Sequence, residues 1–139
     1  MYITITIEDL VSNALIELIE NDISRTVSYP TIMEYGNIVI EELKKRNIKA
    51  ILNIYRIKTM QFEYDYKEIF DFYEKDGIGY VKLKDNINTN YLRTHFRTSQ
   101  SLDELIALTS DNSKKVLGIN IDKKKVIPQK IKKKDIKNL

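Results

Sequence analysis

The sequence has no cysteine, no tryptophan, one histidine (His95), two prolines and four glycines in 139 residues. Without cysteine there are no disulfides, thiolate nucleophiles or thiolate metal ligands, and a single histidine excludes the common zinc patterns. The glycines form neither of the glycine-rich loops that hold phosphates, and no G-x-S-x-G turn presents a nucleophilic serine. We therefore expect a protein that is not an enzyme and that needs no cofactor or metal.

Long hydrophobic runs are also missing. No apolar run approaches the roughly 18 residues that a transmembrane helix needs, and the first ten residues, MYITITIEDL, lack the basic and apolar segments of a signal peptide. We expect a cytoplasmic protein that does not contact a membrane. The hydrophobic fraction of 42% and the charged fraction of 31% are typical of a globular protein, and the length fits one domain.

The charge is distributed unevenly along the chain. Residues 1–122 carry 15 Lys or Arg against 19 Asp or Glu, whereas residues 123–139 carry eight Lys against one Asp. This pattern predicts a single globular domain over 1–122 and a mobile, Lys-rich tail over 123–139. The tail is suited to weak contact with nucleic acid or with an acidic partner, and a purely solubilising role is equally compatible with its composition.

Apolar spacing and capping residues predict several helices. Thr6, with Asp9 three residues later, precedes a clean helical apolar face that runs to Ile19. Thr31 and Glu34 form the same kind of capping pair and predict a second helix over 32–46. Gly36 within this helix predicts close packing of another backbone. The pattern turns helical again after residue 85, and a capping box at Ser101 starts a short helix that ends near residue 109.

Strand patterns lie between these helices. Residues 2–5 alternate, as do residues 60–67, which we interpret as a half-buried strand with an aromatic face. Asp76-Gly77 indicates a hairpin between residues 70–73 and 78–83, although residues 66–73 also fit a helix that ends at Gly77. Residues 48–57 fit either a helix or a strand, and their β-branched content favours a strand. Residues 110–113 indicate a turn, and residues 117–121 a last strand. The predicted fold is α+β, an antiparallel sheet with flanking helices.

Acidic residues are dense between the predicted central strands. They alternate with apolar residues, so we interpret them as the solvated face of the sheet rather than as catalytic carboxylates or cation ligands. The set is Glu63, Asp65, Glu68, Asp71, Glu74 and Asp76.

The most suggestive polar constellation is Asn86, Asn90, Arg93 and Arg97, which are spaced to share one stripe of a helix. Arginine guanidinium groups fork onto phosphate or carboxylate, and asparagine can pair with a base edge or a ribose. Thr94 and His95 lie nearby. A surface helix with solvated arginines is the alternative, and His95 alone fits a structural residue.

Two further cationic positions complete the candidate ligand-binding set. Arg25 lies beside Thr26 and Ser28 between the first two helices, and Arg56 lies farther along the chain. Aromatic residues are frequent over residues 62–80, and Tyr80 is the one that we expect to stack on a base beside these cations. Most of the other aromatic residues are needed for the core.

The chain combines a cysteine-free body with two segments of note, NDISRTVSYP (residues 21–30) and NTNYLRTHFRTSQSLDEL (residues 88–105). In this respect it resembles small phage-encoded proteins that antagonise bacterial defence, some of which sequester cyclic nucleotide signals while others block a nuclease. The resemblance implies a stoichiometric binder in the host cytoplasm, often a symmetric homo-oligomer with shared ligand pockets. It assigns no individual site residues.

Three functions follow as hypotheses. The leading one is sequestration of a small phosphate-bearing, nucleotide-type ligand at Arg93 and Arg97, aided by Asn90 and a stacking aromatic. The alternative is a protein-binding inhibitor or adaptor, similar to an anti-CRISPR protein, that uses the acidic aromatic sheet or the basic tail. A DNA-binding regulator is disfavoured because residues 1–122 are net acidic and show no helix-turn-helix with a basic recognition helix.

Overall fold

The computed structural model describes residues 2–53, 60–96 and 102–120. The helices and strands over these residues confirm the predicted α+β class. In chain order they are β1 (Tyr2–Thr6), α1 (Ile7–Glu20), β2 (Thr26–Ser28), α2 (Tyr29–Lys45), β3 (Lys49–Asn53), α3 (Gln61–Asp65), β4 (Phe70–Lys75), β5 (Ile78–Leu83), α4 (Thr89–His95), α5 (Leu102–Leu108) and α6 (Asp111–Val116).

The strands form two sheets. A three-stranded antiparallel sheet has the order β2-β5-β4, with Val81 of β5 opposite both Val27 and Phe72. Strands β1 and β3 pair in parallel, with Ile3 opposite Ala50, and the chain between them includes α1 and α2. The sequence patterns did not predict this parallel pair. They did favour a strand over residues 48–57, and β3 confirms a strand there as far as Asn53, where the described residues end.

Alternating residues of the antiparallel sheet and the apolar faces of α1 and α2 form one core. On the sheet side, Val27, Phe70 and Val81 are buried, and on the helix side α1 contributes the face predicted from its spacing. The Thr6 hydroxyl accepts a hydrogen bond from the Asp9 amide at 3.2 Å, as the sequence predicted. The three short C-terminal helices pack on the two long ones: α4 contacts α1, and α5 and α6 contact α2.

Helix α2 begins earlier than predicted. Ser28, not Thr31, is its N-cap, because the Ser28 hydroxyl accepts from the Thr31 amide and Pro30 fits within the first turn. Gly36 is closely packed as expected, but against side chains rather than a backbone. A Cβ atom at this position would lie 2.8 Å from Leu10 and 3.0 Å from Leu52.

The hairpin prediction is confirmed. Asp76 and Gly77 have φ angles of 54° and 81°, which suit a type I′ turn between β4 and β5. The alternative helix over residues 66–73 is wrong, because residues 70–73 belong to β4.

The predicted strand over residues 60–67 is wrong. Residues 61–65 form α3, in which Phe62 is fully buried while Tyr64 is 69% exposed. The aromatic alternation therefore does not reflect burial on one side of a sheet. Tyr66 follows Phe62 by one helical turn, and the centroids of their rings are 5.3 Å apart. Phe62 belongs to the core, and Tyr66 packs against it.

The C-terminal predictions need similar correction. Ser110 caps α6 by accepting from the Ser113 amide, so residues 110–113 start a helix instead of forming only a turn. Leu117 and Ile119 are buried but follow α6 in a turn, with Gly118 at φ 88°, and form no strand. Helix α5 is present, whereas Ser101, Ile121 and the tail over 123–139 lie outside the described residues.

None of the helices in the described part of the chain is long and apolar enough to cross a bilayer.

Candidate functional site

Helix α4 carries most of the predicted polar constellation. Asn88 caps it by accepting from the Tyr91 amide at 3.1 Å, and Leu92 and Phe96 are buried as anchors. Because the helix begins at Thr89, Asn86 lies in the preceding turn and does not share the helical stripe. That part of the prediction is wrong.

Arg93 projects from α4 to the end of α1, where it forms an ion pair with Glu20. One terminal nitrogen donates to Glu20 Oε1 at 2.7 Å, and the other contacts Oε2. The Thr89 hydroxyl also donates to Oε2 at 3.2 Å. The hydrogen bond to Glu20 raises the pKa of the Arg93 guanidinium, although both side chains are nearly half exposed and solvent screens the pair.

A cleft of about 340 Å³ opens between α1, α4 and α5 beside this ion pair. Its size is at the small end of the range for ligand pockets. The cleft combines apolar walls with four polar side chains from three different segments. It is lined by Asn13, Ile16, Glu17, Arg93, Phe96, Leu105 and Thr109.

The polar side chains of the cleft are partly engaged within the fold. The Asn13 amide nitrogen donates to the Asp9 carbonyl at 2.9 Å, and the Thr109 hydroxyl donates to the Leu105 carbonyl at 3.0 Å. The Glu17 carboxylate lies 4.0 Å from the Lys114 ammonium. The cleft therefore presents one guanidinium and one carboxylate together with hydrogen-bonding oxygens.

Asp9, near the start of α1, has a strongly shifted pKa. The pKa of Asp9 is raised to about 7, mainly by partial burial, with the neighbouring carboxylates Glu104 and Glu8 adding to the effect and a hydrogen bond with the Thr6 hydroxyl opposing it. Asp9 therefore carries less negative charge at neutral pH than an exposed aspartate does.

The other predicted residues of α4 face elsewhere or serve the helix itself. Asn90 is exposed, and its carbonyl accepts a hydrogen bond from the Thr94 hydroxyl at 3.1 Å. His95 stacks on Tyr91 with ring centroids 5.1 Å apart and meets Phe96 edge-on. None of these three, Asn90, Thr94 or His95, lines the cleft.

Arg25 and Tyr80 lie at the antiparallel sheet rather than at the cleft. The Arg25 guanidinium donates to the carbonyls of Leu83, Lys84 and Ile87, so it ties the start of β2 to the end of β5 and the loop beyond. Tyr80 lies on β5 and stacks on Tyr73. Arg56 and Arg97 lie outside the described residues.

The dense acids of the central segment are dispersed in the structure. Asp71 pairs with Lys84 at 2.8 Å, and Glu63 accepts from the Tyr29 hydroxyl at 3.0 Å. Over residues 2–53, 60–96 and 102–120, no three His, Asp or Glu side chains group as metal ligands would.

Sequence reasoning missed the α1 half of the cleft, including Asn13 and Glu17, and it missed Glu20, the ion-pair partner of Arg93 beside the cleft. No sequence signal singled out Asn13, because α1 carries several other polar side chains and only the structure shows that Asn13 is 8% exposed. Nothing in the local pattern connects Glu20 with Arg93, because 73 residues separate them.

No protein-family model matches the chain, and neither a curated protein nor a solved structure matches it.

Proposed function

We propose that the chain is a non-enzymatic binding protein that captures a small nucleotide-type ligand in the cleft between α1, α4 and α5. The observation that carries this proposal is the position of the Arg93 guanidinium, which lines a cleft with apolar walls beside its ion pair with Glu20. An arginine at the edge of an apolar cleft is suited to a phosphate attached to a flat, apolar group.

The charges of the cleft favour one ligand chemistry. Arg93 suits a phosphate, whereas Glu17 suits a hydrogen-bond donor such as the amino group of a base. A nucleotide carries both groups, and its base could lie against Phe96 and Leu105. A purely anionic ligand such as inorganic phosphate would be repelled by Glu17 and Glu20, so we expect selectivity for nucleotides over simple anions.

Glu20 competes with the ligand in this proposal. A guanidinium has five N–H donors, and Glu20 engages its two terminal nitrogens. A bound phosphate would therefore either share the guanidinium with Glu20 or displace it, and in both cases the Glu20 charge would oppose binding.

The biological setting belongs to the same proposal. In line with the resemblance to phage-encoded antagonists of bacterial defence, the chain would act stoichiometrically in a host cytoplasm, as a homo-oligomer, by withdrawing a nucleotide signal. Capture instead of conversion is supported by the cleft lining, whose described polar side chains are Asn13, Glu17, Arg93 and Thr109 and include no nucleophile with an adjacent base.

Isothermal titration calorimetry with a panel of cyclic and adenine nucleotides tests the proposal. We expect binding of at least one nucleotide by the wild-type protein and a loss of roughly tenfold or more in affinity for Arg93→Met, since a charge-assisted contact is lost. The matched control is Arg46→Met, because Arg46 is also ion-paired, with Glu42, but lies at the end of α2. Absence of heat with every nucleotide, or equal losses in both variants, would reject the proposal.

A further inference from the structure

The three-stranded sheet has one face that the core does not use. Along β4 and β5, Phe70, Phe72, Val81 and Leu83 point to the core, and their alternate neighbours lie on the opposite side. We name this opposite side the outer face and define it by Asp71, Tyr73, Lys75, Ile78, Tyr80 and Lys82 of β4 and β5, with Thr26 and Ser28 of β2 beside them.

Two tyrosines occupy the centre of the outer face. Tyr73 and Tyr80 are directly opposite each other in the β4-β5 register, and their rings stack with centroids 5.2 Å apart and an angle of 17°. Tyr73 is 45% exposed and Ile78 is 39% exposed, so this part of the sheet is open to solvent. Because the two rings cover each other on one side, a base can stack on the other face of either ring, and exposed aromatic rings on an open sheet are a common platform for unpaired bases.

Lysines, hydroxyls and one carboxylate surround the tyrosines. Lys82 pairs with Thr26 across the β2-β5 ladder, and Lys75 is opposite Ile78 at the hairpin end. The Lys82 ammonium contacts Asp85 at 3.3 Å, an exposed pair that a phosphate can replace at little cost. The one carboxylate of the outer face, Asp71, is opposite Lys82 and pairs with Lys84 at 2.8 Å. Two lysines beside an aromatic pair suit a chain whose bases alternate with phosphates.

We propose that the outer face binds single-stranded nucleic acid, with bases stacking on Tyr73 and Tyr80 and phosphates contacting Lys75 and Lys82. Six-residue strands give a surface about 20 Å long, enough for a short single strand. A duplex keeps its bases stacked internally and offers no ring face to the tyrosines. A second copy of this chain is disfavoured as occupant, because lysine is depleted from the cores of protein interfaces.

This proposal is independent of the nucleotide cleft. The outer face uses β2, β4 and β5, whereas the cleft uses α1, α4 and α5. It also differs from electrostatic attraction by the Lys-rich segment over 123–139, because stacking on two specific tyrosines persists at salt concentrations that screen lysine–phosphate attraction.

Fluorescence anisotropy of the full chain with a labelled twelve-nucleotide oligothymidylate and oligouridylate tests the proposal at low and high salt. We expect wild-type binding of at least one oligonucleotide, a loss of roughly tenfold for Tyr73→Leu and Tyr80→Leu, and retention for Tyr80→Phe, which keeps the aromatic ring. The matched control is Tyr64→Leu, because Tyr64 is exposed and lies beside Lys67 but belongs to α3.

Three outcomes would overturn the proposal. They are no binding of either oligonucleotide, equal binding by wild type and both leucine variants, and a loss in the leucine variants accompanied by dissociation of a wild-type oligomer. Binding that vanishes at high salt and ignores the tyrosines would assign the contact to the Lys-rich segment instead. Circular dichroism melts of the variants show whether each one is folded, and Tyr80→Phe separates a lost ring from a damaged sheet.

Discussion

Asp9 illustrates how a single residue's surroundings make stability depend on pH. Its pKa is raised from 3.8 to about 7, first by burial and then by the nearby carboxylates Glu104 and Glu8. Between about pH 4 and 7 the folded protein holds a proton that the unfolded chain releases. The contribution of Asp9 to the free energy of unfolding therefore falls as the pH rises through this window and is constant above it.

We expect Asp9→Asn to remove this dependence. The variant should be more stable than the wild type at pH 8 and should lose that advantage near pH 4, because asparagine carries no charge to desolvate. Urea denaturation of both proteins at several pH values measures the difference. A difference in stability that stays constant from pH 4 to pH 8 would contradict the assignment.

Gly79 is a second position where one atom matters. A Cβ atom there would lie 2.7 Å from the ring of Tyr29, whose hydroxyl donates to Glu63 and restrains the ring. We expect Gly79→Ala to lower the free energy of unfolding by about 1–3 kcal/mol through overpacking. In a Tyr29→Leu background the loss of stability caused by Gly79→Ala should shrink, because the ring is gone. A double-mutant cycle, measured by thermal or urea denaturation, tests this, and an unchanged loss would contradict the clash.

The helix caps show what local sequence can and cannot predict at the scale of elements. Thr6 was identified correctly as the cap of α1, but the same rule applied to α2 selected Thr31 instead of Ser28. Both residues have the required side chain, and only the pairing of β2 with β5 shows that the chain remains extended up to Ser28. Tertiary context decided between two locally acceptable starts.

We expect Ser28→Ala to destabilise the protein by about 1 kcal/mol, because the Thr31 amide loses its side-chain acceptor. Thr31→Ala should cost less, because the Thr31 backbone amide remains and only its hydroxyl contact with Ser28 is lost. Chemical denaturation of both variants compares the costs. A larger loss for Thr31→Ala would restore the cap predicted from the sequence.

Elements α3 and α6 were missed for two different physical reasons. Residues 60–67 alternate aromatic and charged side chains, yet within α3 only Phe62 is buried, so the two-residue period does not report a buried face. Ser110 has a cap's side chain, but the following residues looked like a turn because α6 is only six residues long. By contrast, the Asp76-Gly77 hairpin is determined by two adjacent residues and was predicted correctly.

At the scale of the whole molecule, contacts between distant segments define the candidate site. The cleft depends on Arg93 of α4 meeting Glu20 of α1, and the sequence identified the arginine but not its acidic partner. The residues chosen together from the sequence separate in space, since Arg25 and Tyr80 lie at the sheet. Residue types were predictable, and their long-range neighbours were not.

Arg25 is the clearest long-range connector, because its guanidinium donates to three carbonyls 58 to 62 residues away. We expect Arg25→Lys to lower the free energy of unfolding by about 1–3 kcal/mol, since an ammonium cannot reproduce the planar fork. Thermal denaturation measures the loss, with Lys115→Met, an exposed position on α6, as the control. An unchanged melting temperature for Arg25→Lys would show that these carbonyls do not depend on the guanidinium.

The central claim is that Arg93 receives a nucleotide phosphate against competition from Glu20. Calorimetry with the best-binding nucleotide should give opposite effects for two substitutions of the same ion pair. Glu20→Gln should raise the affinity several-fold by removing a repulsive charge, while Arg93→Met should lower it roughly tenfold or more. Equal weakening by both substitutions would contradict the account, because it would show that the ion pair supports the fold instead of binding the ligand.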